Sequence, residues 1–351
     1  MNKPVLAIHG GAGAIARRDA TPEVRRQYEE ALLQVLEAGF AILDADGSAL
    51  DAVTEAVRLL EECPLFNAGY GAVFTRDGRH ELDASIMDGA TLRCGAIANA
   101  TTIRNPIAAA RAVMEDGAHV FLAGQGADNF ARERGLECVA PDFFSTSKRR
   151  EQLERIQRGG KDTMVLDHDG EASTDAAGTS AAPNASEAPG APEAPEASGM
   201  TDAPKPPLDE DNKFGTVGAV ALDRHGRLAA ATSTGGMTNK RPGRVGDTPV
   251  IGAGCYANNL TCAVSATGAG EAFVRAVAAY QVAARMEFGG STLDEAAHQV
   301  VHGSLLKVDG AGGLIAVDAQ GHVVMPFNTA GMYRGFHSEG QEPFVAIHRK
   351  S

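Results

Sequence analysis

Tryptophan is absent from the 351 residues, and aromatic residues make up only 5% of them. A core with so few rings must be filled by small and branched aliphatic side chains. The 44% hydrophobic content is ample for that, and 41 glycines suit closely packed α/β layers. Cysteine is scarce too. The five thiols (Cys63, Cys94, Cys138, Cys255, Cys262) are an odd number with no CxxC spacing, which reads as a reduced cytoplasmic protein. Long apolar runs are missing. Val5 to Ile8 is too short for a signal-peptide core, and no later stretch is long enough to span a bilayer, so neither export nor a membrane partner is expected. Basic charge is in deficit, with 32 Lys and Arg against 45 Asp and Glu. That argues against nucleic acid, which needs a basic face.

The deficit is local. Residues 171–212 hold nine acids and a single base, Lys205, so most of the formal charge of −13 sits there. From 171 to 200 there is no Val, Ile, Leu, Phe or Tyr. Such a segment buries too little apolar area to offset its ordering entropy and reads as a disordered linker.

On either side the patterns are regular. Residues 5–8 form a short strand running into His9-Gly-Gly-Ala-Gly13, and 22–43 have helical periodicity with Tyr28, Leu32, Leu33, Leu36 and Phe40 on one face. Ser48, with Asp51 three residues on, opens a second helix backed by Val53, Val57 and Leu60. Strands are expected at 81–86 and 94–98, and Asn105-Pro106 starts a third helix. A strand follows at 119–123 and a helix at 126–134. After the linker, TVGAVALD and RLAAATST alternate as strands around the turn Asp223-Arg-His-Gly. Another strand is TCAVSAT, two helices cover 269–287 and 292–306, and GGLIAVD and HVVMPFN form a second hairpin. Hairpins beside helix pairs predict antiparallel sheets covered by helices rather than βαβ winding.

Three motifs lead elsewhere. His298-Gln-Val-Val-His302 puts two imidazoles at zinc-protease spacing, but Gln299 occupies the general-base position and cannot take a proton from water. Gly252-Ala-Gly254 follows a strand-like Pro249-Val-Ile, with Glu271 at a tempting distance, but turn and strand residues follow where a dinucleotide fingerprint needs a helix. His9-Gly-Gly-Ala-Gly13 lacks a Lys at P-loop spacing and reads as a tight strand-to-loop turn.

Gly215-Thr216, just past the linker, offers chemistry if its peptide bond is broken. Thr216 would then carry a hydroxyl and a free α-amine on adjacent carbons. An α-amine titrates near pH 8 and can serve as the base that a hydroxyl nucleophile needs. Gly215 lacks a side chain, so it can adopt the strained angles that expose its carbonyl to that hydroxyl. An N-to-O acyl shift and hydrolysis of the ester would free the amine. For an isolated Gly-Thr pair, a strand start is the bland alternative.

The surrounding motifs favour the chemistry. AIHGGAGAI (7–15), LEECPLFNAGYGAVFT (60–75), ELDASIMDG (81–89), RNPIAAARAVME (104–115), GTVGAVALD (215–223), ATSTGGMTNKRPGRVGDTPVIGAGCYAN (231–258), TGAGE (267–271) and PFNTAGMY (326–333) resemble the plant-type (type 2) L-asparaginases and isoaspartyl peptidases. That family belongs to the N-terminal nucleophile hydrolase superfamily. The resemblance covers almost the whole chain apart from the linker. It implies an α+β fold, a four-layer αββα sandwich with two antiparallel sheets between helical layers. It also implies one structural domain cut into an α chain, 1–215, and a β chain, 216–351, assembled as an (αβ)2 heterotetramer.

The resemblance assigns roles as well. Thr216 is the nucleophile, Thr234 positions its hydroxyl, and Asn67 lies close by. Arg244 grips the substrate α-carboxylate and Asp247 its α-ammonium, a pairing that suits a zwitterion. Thr267 and Gly268 form the oxyanion hole, with Gly270 of the same motif also lining the substrate site. A structural sodium is implied on the backbone carbonyls of Leu60, Glu61, Cys63, Phe66, Ala68 and Tyr70, for which a self-bonded loop without an ion is the alternative. No cofactor is expected to perform the chemistry. The expected substrates are L-asparagine and β-aspartyl dipeptides, both small molecules. Two rivals share the fold: a glycosylasparaginase, whose members tend to carry His-Asp where this chain has Phe214-Gly215, and an uncleaved scaffold or binding protein without turnover.

Overall fold

A computed structural model describes residues 2–13, 21–158 and 215–349. The acidic segment 171–212, read above as a linker, lies outside them. The N-terminal half opens with β1 (Val5–Ala12), which continues through the His9-Gly-Gly stretch with a register shift between His9 and Gly11. α1 (Pro22–Asp44) starts from Thr21, whose hydroxyl accepts from the Val24 N–H. Its buried face holds Tyr28, Leu32, Leu36 and Phe40 as expected, but Val35 replaces Leu33, which is only half-buried. α2 (Ala49–Glu61) is capped by Ser48, which accepts from Asp51 N and donates to the Asp51 carboxylate. β2 (Leu82–Asp88), β3 (Cys94–Ala100), α3 (Pro106–Asp116), β4 (Phe121–Ala123) and α4 (Gly124–Glu133) follow. A 3-10 turn at Pro141–Phe144 and α5 (Ser147–Arg158) come next, both absent from the sequence reading.

The C-terminal half begins with the hairpin β5 (Val217–Leu222) and β6 (Leu228–Thr234). Asp223 closes the turn by accepting from the N–H groups of His225 and Arg227, and its other oxygen accepts from Ala49 N at the start of α2. Next come β7 (Cys255–Ala257), β8 (Cys262–Gly268), α6 (Gly270–Ala276), α7 (Ala278–Glu287) and α8 (Leu293–Gln299). The single helix expected over 269–287 is broken. Val277 takes φ +48°, and the freed N–H groups of Ala279 and Tyr280 donate to the Ala253 and Gly252 carbonyls. The helix expected to 306 ends as a π turn, Val300–Ser304, and a 3-10 turn, Leu306–Val308. β9 (Gly312–Asp318) pairs with β10, which spans only Val323–Val324 because Pro326 has no N–H to offer a ladder. β11 (Gly331–Ser338) and β12 (Phe344–His348) complete the chain.

The fold is α+β with two sheets. One runs β12–β11–β1–β5–β6–β2–β3–β4, the other β10–β9–β8–β7. Among the described residues all strand pairs are antiparallel except β3–β4, which is parallel. This corrects the expectation of purely antiparallel sheets: α3 connects β3 to β4, and a helical crossover delivers the next strand in parallel.

Strand alternation separates three hydrophobic clusters. Leu6, Ile8, Ala219 and Ala221 meet Leu36, Val53, Val57 and Ile107 of α1–α3. On the opposite face of the large sheet, Val5, Ala7, Val220 and Leu222 meet Cys255, Ala263, Ile315 and Val317 of the small one. The far side of the small sheet, with Val264 and Leu314, packs on Phe273, Val282 and Val300. In the large sheet, strands from before and after residue 215 alternate: β1 lies between β11 and β5, and β6 lies against β2.

Candidate functional site

Thr216 sits one residue before β5, at the level where β1, β5 and β6 run side by side. It is 8% exposed. Its hydroxyl donates to Thr234 Oγ1 at 3.0 Å, at the end of β6. Thr234 Oγ1 also accepts from Gly236 N at 3.0 Å. With both lone pairs engaged, Thr234 fixes the direction in which the Thr216 proton points.

Gly215 is held from the other side. Its carbonyl accepts from Asn67 N at 3.1 Å. A Cβ at 215 would lie 2.2 Å from Asn67 Cβ, so only glycine fits against that backbone, a demand for space that adds to the conformational reason seen in the sequence. Asn67 is itself fixed: Nδ2 donates to Gly236 O at 2.6 Å, and Oδ1 accepts from Val73 N at 2.9 Å. Gly215, Thr216, Thr234 and Asn67 thus form one connected group around the Gly-Thr bond.

The loop after β6 leads to a second group. Asp247 is buried, and its Oδ2 has no hydrogen-bond partner. Burial pushes its carboxyl up to about 7, against the opposing pull of its own backbone N–H and of Arg244. Arg244 and Asp247 both line Gly270, where a Cβ would lie 2.9 Å from Arg244 Nη2 and 3.0 Å from Asp247 Oδ1. Below them Lys240 is fully buried and donates to Glu81 O at 3.0 Å; burial lowers its pKa and raises that of neighbouring Asp83.

Between the groups, β8 ends at Thr267 and Gly268. Thr267 Oγ1 accepts from Ala12 N at 3.3 Å, which leaves its hydroxyl proton available to a further acceptor. A Cβ on Gly268 would lie 2.4 Å from Ala311 O.

Two partners escaped the sequence reading. Glu271 meets Arg244 edge-on, with Nε donating to Oε1 at 2.9 Å and Nη2 to Oε2 at 2.7 Å. The sequence offered it only as a member of the TGAGE stretch and as the acid of the rejected Gly252-Ala-Gly254 fingerprint. His9, read as part of a turn, is fully buried in β1, with Nδ1 3.0 Å from Thr216 O and Nε2 2.9 Å from Ser265 Oγ.

In the 60–71 loop, three of the six carbonyls named for sodium already accept hydrogen bonds: Leu60 O from Cys63 N, Glu61 O from Tyr70 N and Cys63 O from Phe66 N. Each keeps a second lone pair. A Cβ at Gly69 would lie 2.5 Å from Glu61 O, so glycine keeps that oxygen uncovered. Neutral oxygens of this kind fit a hard monovalent cation better than a transition metal.

The rejected motifs look different in space. Gly252 and Gly254 lead into β7 and not a helix. His298 and His302 stack, with ring centroids 5.3 Å apart. Among the described residues no group of three or more His, Cys, Asp or Glu could hold a metal ion. No described helix is long and apolar enough to cross a membrane, and all five cysteines are free thiols.

Comparison with known proteins identifies the family. The profile of a family described as asparaginase matches residues 2–347. The chain is 53% identical over 350 residues to the isoaspartyl peptidase of Escherichia coli (strain K12), spanning 100% of this chain and 98% of that protein. It is 39% identical over 349 residues to "Probable isoaspartyl peptidase/L-asparaginase 2" of Arabidopsis thaliana, spanning 97% and 98%. To the isoaspartyl peptidase/L-asparaginase of Rattus norvegicus it is 38% identical over 330 residues, spanning 93% and 84%. The chain belongs to the family of plant-type asparaginases and isoaspartyl peptidases.

Proposed function

We propose that the protein is a self-cleaving threonine amidohydrolase. It hydrolyses β-aspartyl dipeptides and L-asparagine to L-aspartate, releasing an amino acid or peptide, or ammonia. The observation that carries this reading is the hydrogen bond from the Thr216 hydroxyl to Thr234, beside a Gly215 carbonyl fixed by Asn67. In the uncut chain the Thr216 hydroxyl attacks the Gly215 carbonyl carbon. The C–N bond breaks, which frees the Thr216 α-amine as an ester forms between Gly215 and Oγ1, and water then hydrolyses that ester to the Gly215 carboxylate and the free Thr216 hydroxyl.

In the mature enzyme that amine takes the hydroxyl proton as Oγ1 attacks the β-carbonyl of the substrate. Arg244 pairs with the α-carboxylate, and Asp247, whose Oδ2 lacks a partner, takes the α-ammonium. The Thr267 hydroxyl and the Gly268 N–H stabilise the oxyanion. The leaving amine departs with a proton, and water hydrolyses the aspartyl ester.

The same reading stacks the layers as αββα, for which the three hydrophobic clusters are the support. It assembles two cleaved chains as (αβ)2 in the cytoplasm, with the exposed Val274, Val277 and Tyr280 of the α6–α7 surface available for burial. A sodium ion on the 60–70 carbonyls would brace the loop that carries Asn67.

The test is intact mass with an assay of ammonia from asparagine and of amino acid from a β-aspartyl dipeptide. Wild type is expected as two fragments, the second starting at Thr216, with turnover of both substrates. Thr216→Ala is expected as one inert chain. An active wild-type enzyme of unbroken mass would sink the proposal.

A further inference from the structure

We infer that His9 is a positioning residue, which holds the Thr216 carbonyl and so sets the direction of the nucleophile and its amine. The inference rests on the reading of Thr216 as nucleophile and adds a residue to that site.

Bond bookkeeping fixes what His9 does. A carbonyl oxygen only accepts, so Nδ1 must carry the proton that reaches Thr216 O at 3.0 Å. Nε2 is then an acceptor, and Ser265 Oγ–H is its donor at 2.9 Å. Ser265 Oγ also lies 2.7 Å from the Thr232 hydroxyl and 3.2 Å from Ala231 O, and Thr232 Oγ1 lies 3.2 Å from Gly254 O. The Thr216 carbonyl thus selects a single His9 tautomer, which Ser265 supports from the other side of the ring. Burial pushes the imidazole pKa down to about 3, so the ring stays neutral and this bonding persists over the working pH range.

The backbone is cleared for this contact. A Cβ on Gly218 would lie 2.0 Å from Ser265 Oγ and 2.5 Å from His9 Nε2, so any side chain there would part His9 from Ser265. Gly218 is the residue that faces His9 across the β1–β5 ladder.

Thr216 needs such a hold because β5 begins only at Val217. Once its bond to Gly215 is broken, Thr216 is a chain end. The hydroxyl contact with Thr234 and the carbonyl contact with His9 are then its two anchors, one on each side of Cα. Two anchors determine where the amine points, and the amine is the base. His9 lies before the cut and Thr216 after it, so the hold also crosses between the two fragments.

The test measures self-cleavage by intact mass, and kcat and KM with a β-aspartyl dipeptide from pH 6 to 9, for His9→Ala, His9→Asn and Ser265→Ala. His9→Ala is expected to slow self-cleavage and to lower kcat about 10- to 100-fold, the effect of one lost buried hydrogen bond at a reacting group. KM should stay within about twofold, because Arg244 and Asp247 are untouched. His9→Asn, whose amide N–H falls near the Nδ1 position, should recover most of kcat. Ser265→Ala, which removes the partner of Nε2 and loosens the ring, should lower kcat roughly three- to tenfold. In no variant should a limb of the pH profile move.

Wild-type kcat in His9→Ala overturns the inference. So does an Asn variant no better than Ala, or the loss of an acid limb in His9→Ala, which would make His9 a titrating base. Should His9→Ala fail to fold, Ser265→Ala decides: unchanged kcat overturns the inference, and reduced kcat at constant KM supports it. Wild-type enzyme is the control. If it is cut and active while these variants are indifferent, only the role of His9 falls; if it is uncut and inert, the reading of Thr216 falls and takes this role with it.

Discussion

Asp247→Asn should stabilise the protein and inactivate it, and the size of the gain should depend on pH. Burial raises the Asp247 carboxyl from 3.8 to about 7. The folded protein therefore binds this proton more tightly than the unfolded chain does. The stability that comes from it is complete below pH 3.8, declines as pH rises, and is gone above about 7. With about 1.4 kcal/mol for each tenfold change in proton affinity, ionised Asp247 costs roughly 4 kcal/mol at pH 8. At pH 5.5 the cost is only about 2 kcal/mol, since the folded protein still keeps its proton there. An asparagine has no such dependence. The stability gap between variant and wild type should thus widen by about 2 kcal/mol from pH 5.5 to pH 8. Any packing cost of the amide is the same at both pH values and cancels in the difference. Urea unfolding of the uncut Thr216→Ala chain with and without Asp247→Asn at the two pH values measures the gap, and dipeptide turnover of the Asp247→Asn enzyme with Thr216 intact should drop at least about 100-fold, as expected when a buried charge partner is removed. A gap that stays constant or narrows would show that Asp247 is not held as an expensive anion awaiting an ammonium group.

Two further substitutions test the geometry around the nucleophile and the arginine. Thr234→Val keeps the shape and removes the oxygen that accepts from Thr216 and Gly236, so self-cleavage and kcat should fall roughly 10- to 100-fold at near-constant KM, the price of about 1–3 kcal/mol for one buried partner lost; progress curves at saturating substrate read this, and an unchanged kcat would remove Thr234 from the site. Glu271→Gln keeps the volume but replaces one acceptor on the Nε–Nη2 edge of Arg244 by a donor. Arg244 then loses its orientation, and KM for both substrates should rise about 5- to 20-fold with kcat within twofold, as for a charged hydrogen bond worth about 1–2 kcal/mol; a lower KM would mean that Glu271 competes with the substrate carboxylate and does not orient Arg244.

Much of this was legible because local chemistry and packing agree. Ser48 with Asp51, and the period of Leu32, Leu36 and Phe40, announce helices that the structure contains. The Asp223 turn declares its hairpin. What was hidden depends on distant partners. α5 is charged nearly all round, and its buried face is Arg149, Gln152 and Leu153, with Arg149 donating to Gly71 O, so no apolar stripe marks it. The side-chain pattern of β11 is broken by Gly335, which pairs on both sides within the sheet and has no room for a Cβ, since one would lie 2.6 Å from Phe344 O. The break at Val277 serves carbonyls more than twenty residues upstream, at Gly252 and Ala253. In the site, residue identities could be carried by motif resemblance, but which atoms touch could not. His9 reaches Thr216 across 207 residues, and nothing in His-Gly-Gly announces it. Glu271 stood in plain view with its partner Arg244 27 residues away, and only folding brings the two carboxylate oxygens onto one guanidinium edge.

The order of the large sheet has a consequence for what a broken Gly215–Thr216 bond means to the molecule. The two fragments are spliced along β11–β1, β1–β5 and β6–β2, so separating them would tear three ladders and open the cores that they cover. A nicked protein therefore keeps its shape without a covalent tie. The route back is different: an uncut chain refolds alone, whereas two fragments must first meet and then thread strands between one another. Cleavage would thus leave a protein whose persistence rests on the slowness of unfolding.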